Sequence, residues 1–447
     1  MVGGGPSGLG AAVGAARAGA EVVLAERYGF LGGNATAALV MPLMSFHNEI
    51  RAADEAGDLE AGLRLLPTDH GPGEPVVAGA LVELLDRLFD SGGAIPPSRK
   101  TGYTVPFDPE HYKLATLDLL DDAGVAYAFH AFGSSVYEEG GQPAGAVFET
   151  KSGPIVLKAW TIVDATGDGD IAASAGAPYA TGRLEDGLTQ PMTLMFRMVE
   201  FNKEGFAAYV REHPDQWRGV YGLWDLVREA QEAGELDLPR EDMLFFATPH
   251  PREVSVNSTR VGGLATDVFD ITAAESVTRR QMREVARFLN KHVPGFEQAY
   301  AAQSGVSVGV RETRRILGDY VLTGDDVLSA AKFDDAIARG SYPVDIHNPK
   351  GRGTVLKRLP VREAYDIPLR CLRPRGLDRL LVAGRCISGT HEAHSSYRVT
   401  PIAMATGHAA GITAALAARA RSGVRAVPAD HVQEELLRQG ASLRPQT

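Results

Sequence analysis

The chain begins MVGGGPSGLGAAVGAARAGAEVVLAER (Met1–Arg27), and this segment carries the strongest structural signal in the sequence. Gly3, Gly5 and Gly8 form a GxGxxG turn, which an Ala-rich helical stretch and then an apolar strand ending at Glu26 follow. Such glycines permit a tight turn and close approach to a pyrophosphate, and an acidic residue about 20 positions later can bind ribose hydroxyls. The segment therefore predicts a Rossmann-like dinucleotide site; a glycine-rich helix start is the simpler alternative.

Composition limits the class of protein. A chain of 447 residues, 44% of them hydrophobic, can bury a large core. Its formal net charge of -11 opposes the positive field that nucleic-acid binding needs. The two cysteines, Cys371 and Cys386, exclude a disulfide framework and a multi-cysteine metal site. The sequence shows neither a membrane span nor a signal peptide, so we predict a cytoplasmic protein with no nucleic-acid partner.

A second glycine cluster bears on the choice between NAD and FAD, which share the first fingerprint. Gly32 and Gly33 follow within seven residues of Glu26. In many NAD enzymes the second strand leads soon into another helix, whereas a backbone-rich loop at this point is similar to the one that wraps FAD. The alternative is an ordinary tight turn.

Two later clusters favour FAD. The strand at Trp160–Val163 runs into Asp164 and then into Ala165–Gly167, an Ala-Thr-Gly step that resembles the one returning the chain to the nucleotide in two-domain flavoproteins. Near the end of the chain, Thr400 is a natural N-cap and Pro401 a natural first residue of a small-residue helix. The positive end of that helix suits the electron-rich ring of a flavin.

Three longer stretches carry a resemblance to a known family. They read ERYGFLGGNATAALV at 26–40, GVRETRRILGDYVLT at 309–323 and AGRCISGTHEAHSSYRVTPIAMATGHAAG at 383–411. On these stretches the chain resembles the FAD-dependent oxidoreductase family of the glutathione-reductase-like flavoprotein superfamily, from residue 2 to about residue 418. The resemblance implies the cofactor and the fold more directly than it implies a substrate.

The resemblance implies an α/β fold in which a Rossmann-like FAD-binding domain, with a parallel sheet and a small β-meander, receives an inserted α+β substrate or cap domain. The predicted FAD-binding segments are 1–45, 76–182 and 375–425. The predicted insert is 183–374, with a flexible loop at 46–75 and a helical tail at 426–447.

The resemblance also assigns FAD contacts residue by residue, to the pyrophosphate turn, the ribose, the adenine and the flavin. The residues assigned are Gly3, Gly5, Pro6, Ser7, Gly8, Glu26, Arg27, Gly32, Gly33, Asn34, Thr36, Phe132, Ala165, Thr166, Gly167, Gly384, Arg385, Pro401, Ile402, Ala403 and Met404.

Candidate catalytic residues come from two segments. His391 and His394 lie in a predicted loop beside the presumed flavin, where a histidine can bind an oxyanion or take a proton, and Tyr397 is close by in sequence. Their spacing is not that of the zinc motif HExxH, and we predict no metal. Arg311 and Arg315 would share one face of a helix and could hold an anion; pairing with a nearby glutamate is the alternative.

Other residues are weaker candidates. Asp345 and His347 alternate along an extended run and would share one face. Arg398 directly precedes the last predicted helix and could contact substrate. Cys386 is more consistent with a small buried residue than with redox chemistry, and His47 is a remote candidate for covalent flavin attachment.

We therefore predict an FAD-dependent oxidoreductase that transfers a hydride between the flavin N5 and a small, polar or acidic organic substrate. The alternative is a non-redox nucleotide-binding protein that keeps the same fold. The sequence identifies neither the electron acceptor nor the oligomeric state. Only Met1 and Val2 precede Gly3, where the resemblance implies a first strand of five or six residues, so we expect weak FAD binding unless further residues come first.

Overall fold

The computed structural model describes residues 1–48, 63, 65–67, 73–351 and 353–443, so most of the loop predicted at 46–75 lies outside the described residues. The described helices are α1 (Pro6–Arg17), α2 (Asn34–Ala37), α3 (Ala80–Asp90), α4 (Pro109–Asp122), α5 (Asp170–Ser174), α6 (Lys203–Glu212), α7 (Trp224–Glu232), α8 (Val268–His292), α9 (Gly324–Leu328), α10 (His391–Tyr397), α11 (Thr400–Ala420) and α12 (Ala429–Arg438). 

The described strands begin with β1 (Val23–Ala25), β2 (Ala126–Ala128), β3 (Phe132–Glu139), β4 (Gln142–Glu149), β5 (Ile155–Lys158), β6 (Ile162–Asp164), β7 (Tyr179–Thr181), β8 (Phe196–Val199), β9 (Trp217–Arg218) and β10 (Tyr221–Gly222). They continue with β11 (Met243–Ala247), β12 (Glu253–Val256), β13 (Tyr300–Ser304), β14 (Arg314–Ile316), β15 (Ala336–Gly340), β16 (Val344–His347), β17 (Thr354–Lys357), β18 (Tyr365–Pro368) and β19 (Leu380–Val382).

A short parallel layer supports the glycine turn. β1 pairs with β2, β6 pairs with β19, and Val2 bridges the two pairs through parallel contacts with Ala25 and Asp164. Val2 N donates to the carbonyl of Val163 at 3.0 Å, and Gly3 N donates to that of Ala25 at 2.8 Å. The start of the described chain is therefore bonded into the layer on both sides, although weak FAD binding stays a prediction.

The predicted β-meander is present, since β3, β4 and β5 form an antiparallel three-stranded sheet. Its first turn lies at Gly140 and Gly141, where the sequence places it. A separate antiparallel sheet has the strand order β13-β8-β12-β11-β10-β9. This six-stranded sheet buries an aromatic cluster that includes Phe206, Phe245 and Phe296.

The hydrophobic cores bear on the predicted division into domains, which stays a prediction. The six-stranded sheet and α8 enclose a hydrophobic core of their own, but the later part of 183–374 does not join it. β14 pairs with β7, and Ile316, Ile337 and Tyr365 pack in the main core together with α1 and α11. The separate core is thus formed mainly by residues 196–299, since the strands from β14 onward pair in two-stranded sheets outside the six-stranded one.

The Asp108 carboxylate links helix α4 to the six-stranded sheet. Asp108 caps α4 by accepting hydrogen bonds from the backbone N–H groups of Glu110 at 2.8 Å and His111 at 3.2 Å. It also accepts from Arg197 of the six-stranded sheet at 3.2 Å and lies 2.8 Å from His250 Nε2. Asp108 is 6% exposed, so helix cap and interlayer contact share one buried group.

Helices α1 and α11 pack with their backbones in contact, and glycine makes this possible. A Cβ atom on Gly407 would overlap the carbonyl oxygen of Ser7, and one on Gly411 would overlap that of Ala11. α11 is the one described helix that is long and apolar enough to cross a membrane, and 83% of its most apolar stretch is buried within the protein. It packs as the central helix of the main core.

We expect Gly411→Ala to lower the free energy of unfolding by about 1–3 kcal/mol, because the added methyl must push the two helices apart. Helix propensity alone predicts the opposite sign, a gain of about 1 kcal/mol. Denaturant unfolding measures the difference. Gly262→Ala is the control, since a Cβ there meets no atom within 4 Å. A stabilised Gly411→Ala protein would contradict this account of the packing.

Candidate functional site

A cavity of about 320 Å³ lies where the N-termini of α1 and α11 meet the end of the six-stranded sheet. Most of the residues predicted to contact FAD line it. These are Gly3, Gly5, Pro6, Ser7, Glu26, Arg27, Gly33, Asn34, Phe132, Ala165, Thr166, Gly167, Arg385, Pro401 and Ala403. The others predicted, Gly8, Gly32, Thr36, Gly384, Ile402 and Met404, do not line the cavity.

The residues outside the lining support it from behind. Gly384 packs against Ser7, and the carbonyl of Met404 packs against Gly10 in the contact between α1 and α11. The Thr36 hydroxyl donates to the carbonyl of Leu31 at 2.6 Å, which fixes the loop before α2. Their part in the site is therefore to position the residues that line it.

Helix N-termini converge on the cavity. Pro6 of α1, Asn34 of α2 and Pro401 of α11 all line it. Within the described part of the chain, none of these three N-termini has a side-chain cap. Free N–H groups and the positive end of a helix dipole attract negative charge. The arrangement fits a ligand with several anionic or electron-rich groups, as the pyrophosphate and the flavin of FAD are.

Glu26 is held rigidly at one wall of the cavity. Its carboxylate accepts hydrogen bonds from the backbone N–H groups of Gly4 at 2.6 Å and Tyr28 at 2.9 Å. Burial raises the pKa of Glu26, although these two hydrogen bonds oppose the rise. The carboxylate keeps further lone pairs for a hydroxyl donor, as ribose recognition requires.

The Ala-Thr-Gly turn is tied to the segment that leads into α11. The Arg385 guanidinium donates to the carbonyl of Gly167 at 2.8 Å and to Asp168 at 2.6 Å, and it also contacts the carbonyl of Val310. Asp164 is fully buried at the start of the turn, and burial raises its pKa to about 6. We refer to the wall formed by residues 3–7, 26–27, 33–34 and 165–167 as the nucleotide end of the cavity.

Different side chains line the rest of the cavity. We call this part the arginine end, and it is formed by Arg311, Tyr342, Asp345, His347 and Arg398. Arg311 donates to the carbonyl of Pro191 at 2.6 Å and to the Thr193 hydroxyl at 2.7 Å. Asp345 lies 3.6 Å from both His347 Nε2 and the Arg398 guanidinium, and it accepts from the Tyr342 hydroxyl at 3.0 Å. 

Electrostatics at the arginine end follow from burial and mutual proximity. Burial lowers the pKa of His347 to about 4, and the positive charge of Arg311 adds to the effect. Burial alone would raise the pKa of Asp345, but His347, Arg398 and the Tyr342 hydrogen bond outweigh it, and the pKa lies below its usual range. At neutral pH this end therefore carries a neutral imidazole and an ionised carboxylate.

The structure does not bring His391, His394 and Tyr397 to the cavity. The segment predicted as a loop is helix α10, which Thr390 caps, and its side chains point into the core. His391 Nδ1 lies 2.9 Å from buried Glu312, and the Tyr397 hydroxyl donates to the carbonyl of Ile387 at 2.9 Å. Their catalytic role stays a prediction, which this geometry does not favour.

The arginine pair also differs from the prediction. Residues 311 and 315 do not share a helix, because Arg314–Ile316 is strand β14. Arg315 pairs with Glu312, as the alternative interpretation has it, but the pair is buried and not on a salt-bridged surface, and Arg311 alone of the two arginines reaches the cavity.

Of the five weaker candidates, three line the cavity and two do not. Asp345 and His347 are brought together, as their alternation predicts, and Arg398 joins them. Cys386 is fully buried, and burial raises the pKa of its thiol, so that it is an inert core residue. His47 does not line the cavity.

Sequence reasoning missed several polar residues at the arginine end. Tyr342 stands three residues before Asp345 and could have been found from that run. Gln190, which accepts from His347 N at 3.3 Å, and Arg260, which lies 3.5 Å from His347 Nδ1, belong to distant segments that carry no motif. Only the folded chain places them together.

Fold and cavity together define a dinucleotide-binding protein with an anion-attracting pocket. The family model of the FAD dependent oxidoreductases matches residues 1–436, so the chain belongs to that family. This confirms the predicted family, the predicted cofactor, FAD, and the prediction that the protein is an enzyme of the FAD-dependent oxidoreductase class.

Solved structures match this chain at low sequence identity and with TM-scores below 0.5. A geranylgeranyl bacteriochlorophyll reductase-like protein from Thermoplasma acidophilum is 13% identical, with a TM-score of 0.43, over 98% of this chain and 82% of that one. The p-nitrophenol 4-monooxygenase PnpA from Pseudomonas putida DLL-E4 is 13% identical, with a TM-score of 0.44, over 98% and 82%. The myxobacterial chondrochloren halogenase CndH is 14% identical, with a TM-score of 0.42, over 98% and 77%. Comparison with curated proteins finds no match.

We expect Glu26→Gln to weaken FAD binding by at least about tenfold, because the ribose hydroxyl would lose its hydrogen bond to a charged acceptor, which contributes about 1.5–3 kcal/mol. Fluorescence titration with FAD measures the affinity, and thermal unfolding of the FAD-free protein separates it from stability. Glu21→Gln, at an exposed position, is the control. Unchanged affinity in Glu26→Gln would exclude Glu26 from the cofactor site.

The lowered pKa of His347 predicts an acid-sensitive stability. The unfolded chain binds the imidazole proton near its ordinary pKa of 6.5, whereas the folded chain does so only near 4. The free energy of unfolding therefore falls as the pH falls between these values. We expect His347→Gln to reduce this slope by up to about 1.4 kcal/mol per pH unit in urea unfolding. The same change at exposed His431 is the control, and an unaltered slope in His347→Gln would contradict the assignment.

Proposed function

We propose that this enzyme transfers a hydride equivalent between FAD and a small polar organic substrate that binds at the arginine end of the cavity. One observation carries the proposal: a single cavity joins a wall suited to a dinucleotide to a buried cluster of ionisable side chains. A cavity with apolar walls and a few convergent polar groups is the usual form of a small-molecule site.

The nucleotide end would hold FAD through backbone groups. The N-termini of α1 and α2 would face the pyrophosphate, Glu26 would accept from the ribose, and Phe132, 46% exposed on the cavity wall, would flank the adenine. The N-terminus of α11 at Pro401 would face the flavin ring, whose negative charge on reduction a helix dipole stabilises. When bound there, FAD supplies the hydride acceptor or donor.

The arginine end would orient the substrate and keep water out. Arg311 is fixed by the Pro191 carbonyl and Thr193, and Arg398 is fixed by contacts with the carbonyl and the carboxylate of Asp345. Side chains held in this way lose little conformational entropy when a ligand binds. Met195, Phe246 and Val308 give the same cavity apolar walls, which suit the carbon skeleton of an organic substrate.

Anaerobic single-turnover kinetics test the proposal. FAD-loaded protein is mixed in a stopped-flow cell with hydroxy acids, amino acids, sugars and amines, and the visible absorbance of oxidised flavin is followed. We expect at least one compound to bleach it, and deuterium at the carbon that loses hydride to slow the bleaching. If dithionite bleaches the flavin but no compound does so, and no reduced compound reoxidises it, the proposed hydride transfer is wrong.

A further inference from the structure

The arginine end holds more positive charge than the described residues around it neutralise. Arg311 and Arg398 both line the cavity, and Arg260 contacts His347 just behind it. Among the described residues that line this end, Asp345 is the one carboxylate, and its 3.6 Å separation from Arg398 is longer than that of a hydrogen-bonded pair. The neighbouring Asp242 is paired with Arg240 at 2.6 Å, so that it and Glu241 compensate the charge of Arg260 only in part.

The pKa values of two guanidinium groups are lowered at the arginine end. Burial, followed by repulsion from Arg398 and Arg260, lowers the pKa of Arg311 to about 9. Burial, followed by repulsion from Arg240, lowers that of Arg260 to about 10. Both groups are still charged at neutral pH, so the protein stores an electrostatic cost that an anion in the cavity would relieve.

Unpartnered polar atoms lie at the same place. The Nε of Arg398, a residue that lines the cavity, and the Nε2 of Gln190, which lies behind the lining, are buried donors without an acceptor among the described residues. Gln190 is fully buried, and its Oε1 already lies 3.5 Å from Arg398 and accepts from His347 N. Buried donors without partners are rare in folded proteins, and a ligand oxygen is one way to satisfy them.

We propose that Arg311 and Arg398 bind a carboxylate of the substrate, so that the enzyme acts on a small organic acid. The inference rests on the proposed function for the step that follows binding, but the anion site itself does not depend on it. A planar guanidinium matches a carboxylate through two parallel hydrogen bonds, which fixes the orientation of the acid as well as its position. The distance from the carboxylate would then determine which carbon of the substrate exchanges the hydride.

A phosphate of the cofactor is the competing occupant. The nucleotide end has its own positive groups, since the N-termini of α1 and α2 and the Arg27 and Arg385 side chains line it. Arg311 is instead held by Pro191 and Thr193, beside the six-stranded sheet, and Arg398 by Asp345 of β16. Both arginines thus belong to the wall that carries Tyr342 and His347, which favours the substrate.

Binding of oxalate to the FAD-loaded protein tests the proposal without turnover. Oxalate carries two carboxylates, and oxamide is its uncharged isostere. Calorimetric titration at constant ionic strength, with the flavin difference spectrum as a second signal, gives the two affinities. We expect saturable oxalate binding, no oxamide binding, and oxalate binding about 10- to 100-fold weaker in Arg398→Met and in Arg311→Met.

Controls separate charge from folding. Arg398→Lys keeps the charge and should recover part of the affinity, and Arg370→Met removes a guanidinium that is paired with Asp335 and does not line the cavity. Arg370→Met should bind oxalate as the unchanged protein does. Because Arg311 is also a structural contact, the proposal can be decided on Arg398 alone if Arg311→Met fails to fold.

The results that would contradict the carboxylate site can be told apart from those that would contradict the hydride transfer. Absent oxalate binding, unchanged oxalate binding in Arg398→Met, or equal binding of oxalate and inorganic phosphate would overturn the carboxylate site. A loss of FAD affinity in Arg398→Met as large as its loss of oxalate affinity would assign the arginine to the cofactor and also overturn it. Oxalate binding with no acid able to reduce the flavin would leave the carboxylate site in place and remove the hydride transfer instead.

Discussion

The backbone contact between α1 and α11 is the constraint on which the rest of the structure depends. Gly407 and Gly411 let α11 lie directly on the carbonyl groups of α1, and both helices are buried in the main core. This contact fixes the two N-termini relative to each other and directs them to one cavity. Segments almost four hundred residues apart in the chain thereby form a single binding wall.

The two ends of the cavity attract negative charge by different means. At the nucleotide end the positive groups are mostly backbone N–H groups and helix dipoles, which no side-chain replacement removes. At the arginine end they are the side chains of Arg311 and Arg398, whose reach and charge can change through one substitution. Such a division lets a family keep one cofactor while its substrates vary.

Local patterns predicted what depends on local geometry. The GxGxxG turn, the meander turn at Gly140 and the start of α11 near Pro401 all require particular residues at adjacent positions, and the structure has each of them. The predicted cap of α11 is wrong, because Thr400 is already the first helical residue and Val399, which has no side-chain hydrogen bond to the helix, is the N-cap. The position of His391 and His394 was not predictable in this way, because the Thr390 cap that turns their segment into a helix is also common in loops. The bounds of the predicted insert stay a prediction for a related reason: strand pairing between distant segments, as between β7 and β14, leaves no local mark in the sequence.

The arginine end shows the same limit more strongly. Arg311, Asp345 and Arg398 come from three distant segments, and only the pair Asp345 and His347 has a spacing that predicts proximity. Asp345 and Arg398 come together through the packing of β16 against α10, whereas Pro191 and Thr193 hold Arg311. The contacts of Asp108 also determine how two parts of the structure open. Because the same carboxylate caps α4 and holds Arg197, fraying of the first turn of α4 and separation of the six-stranded sheet form one cooperative opening rather than two independent ones.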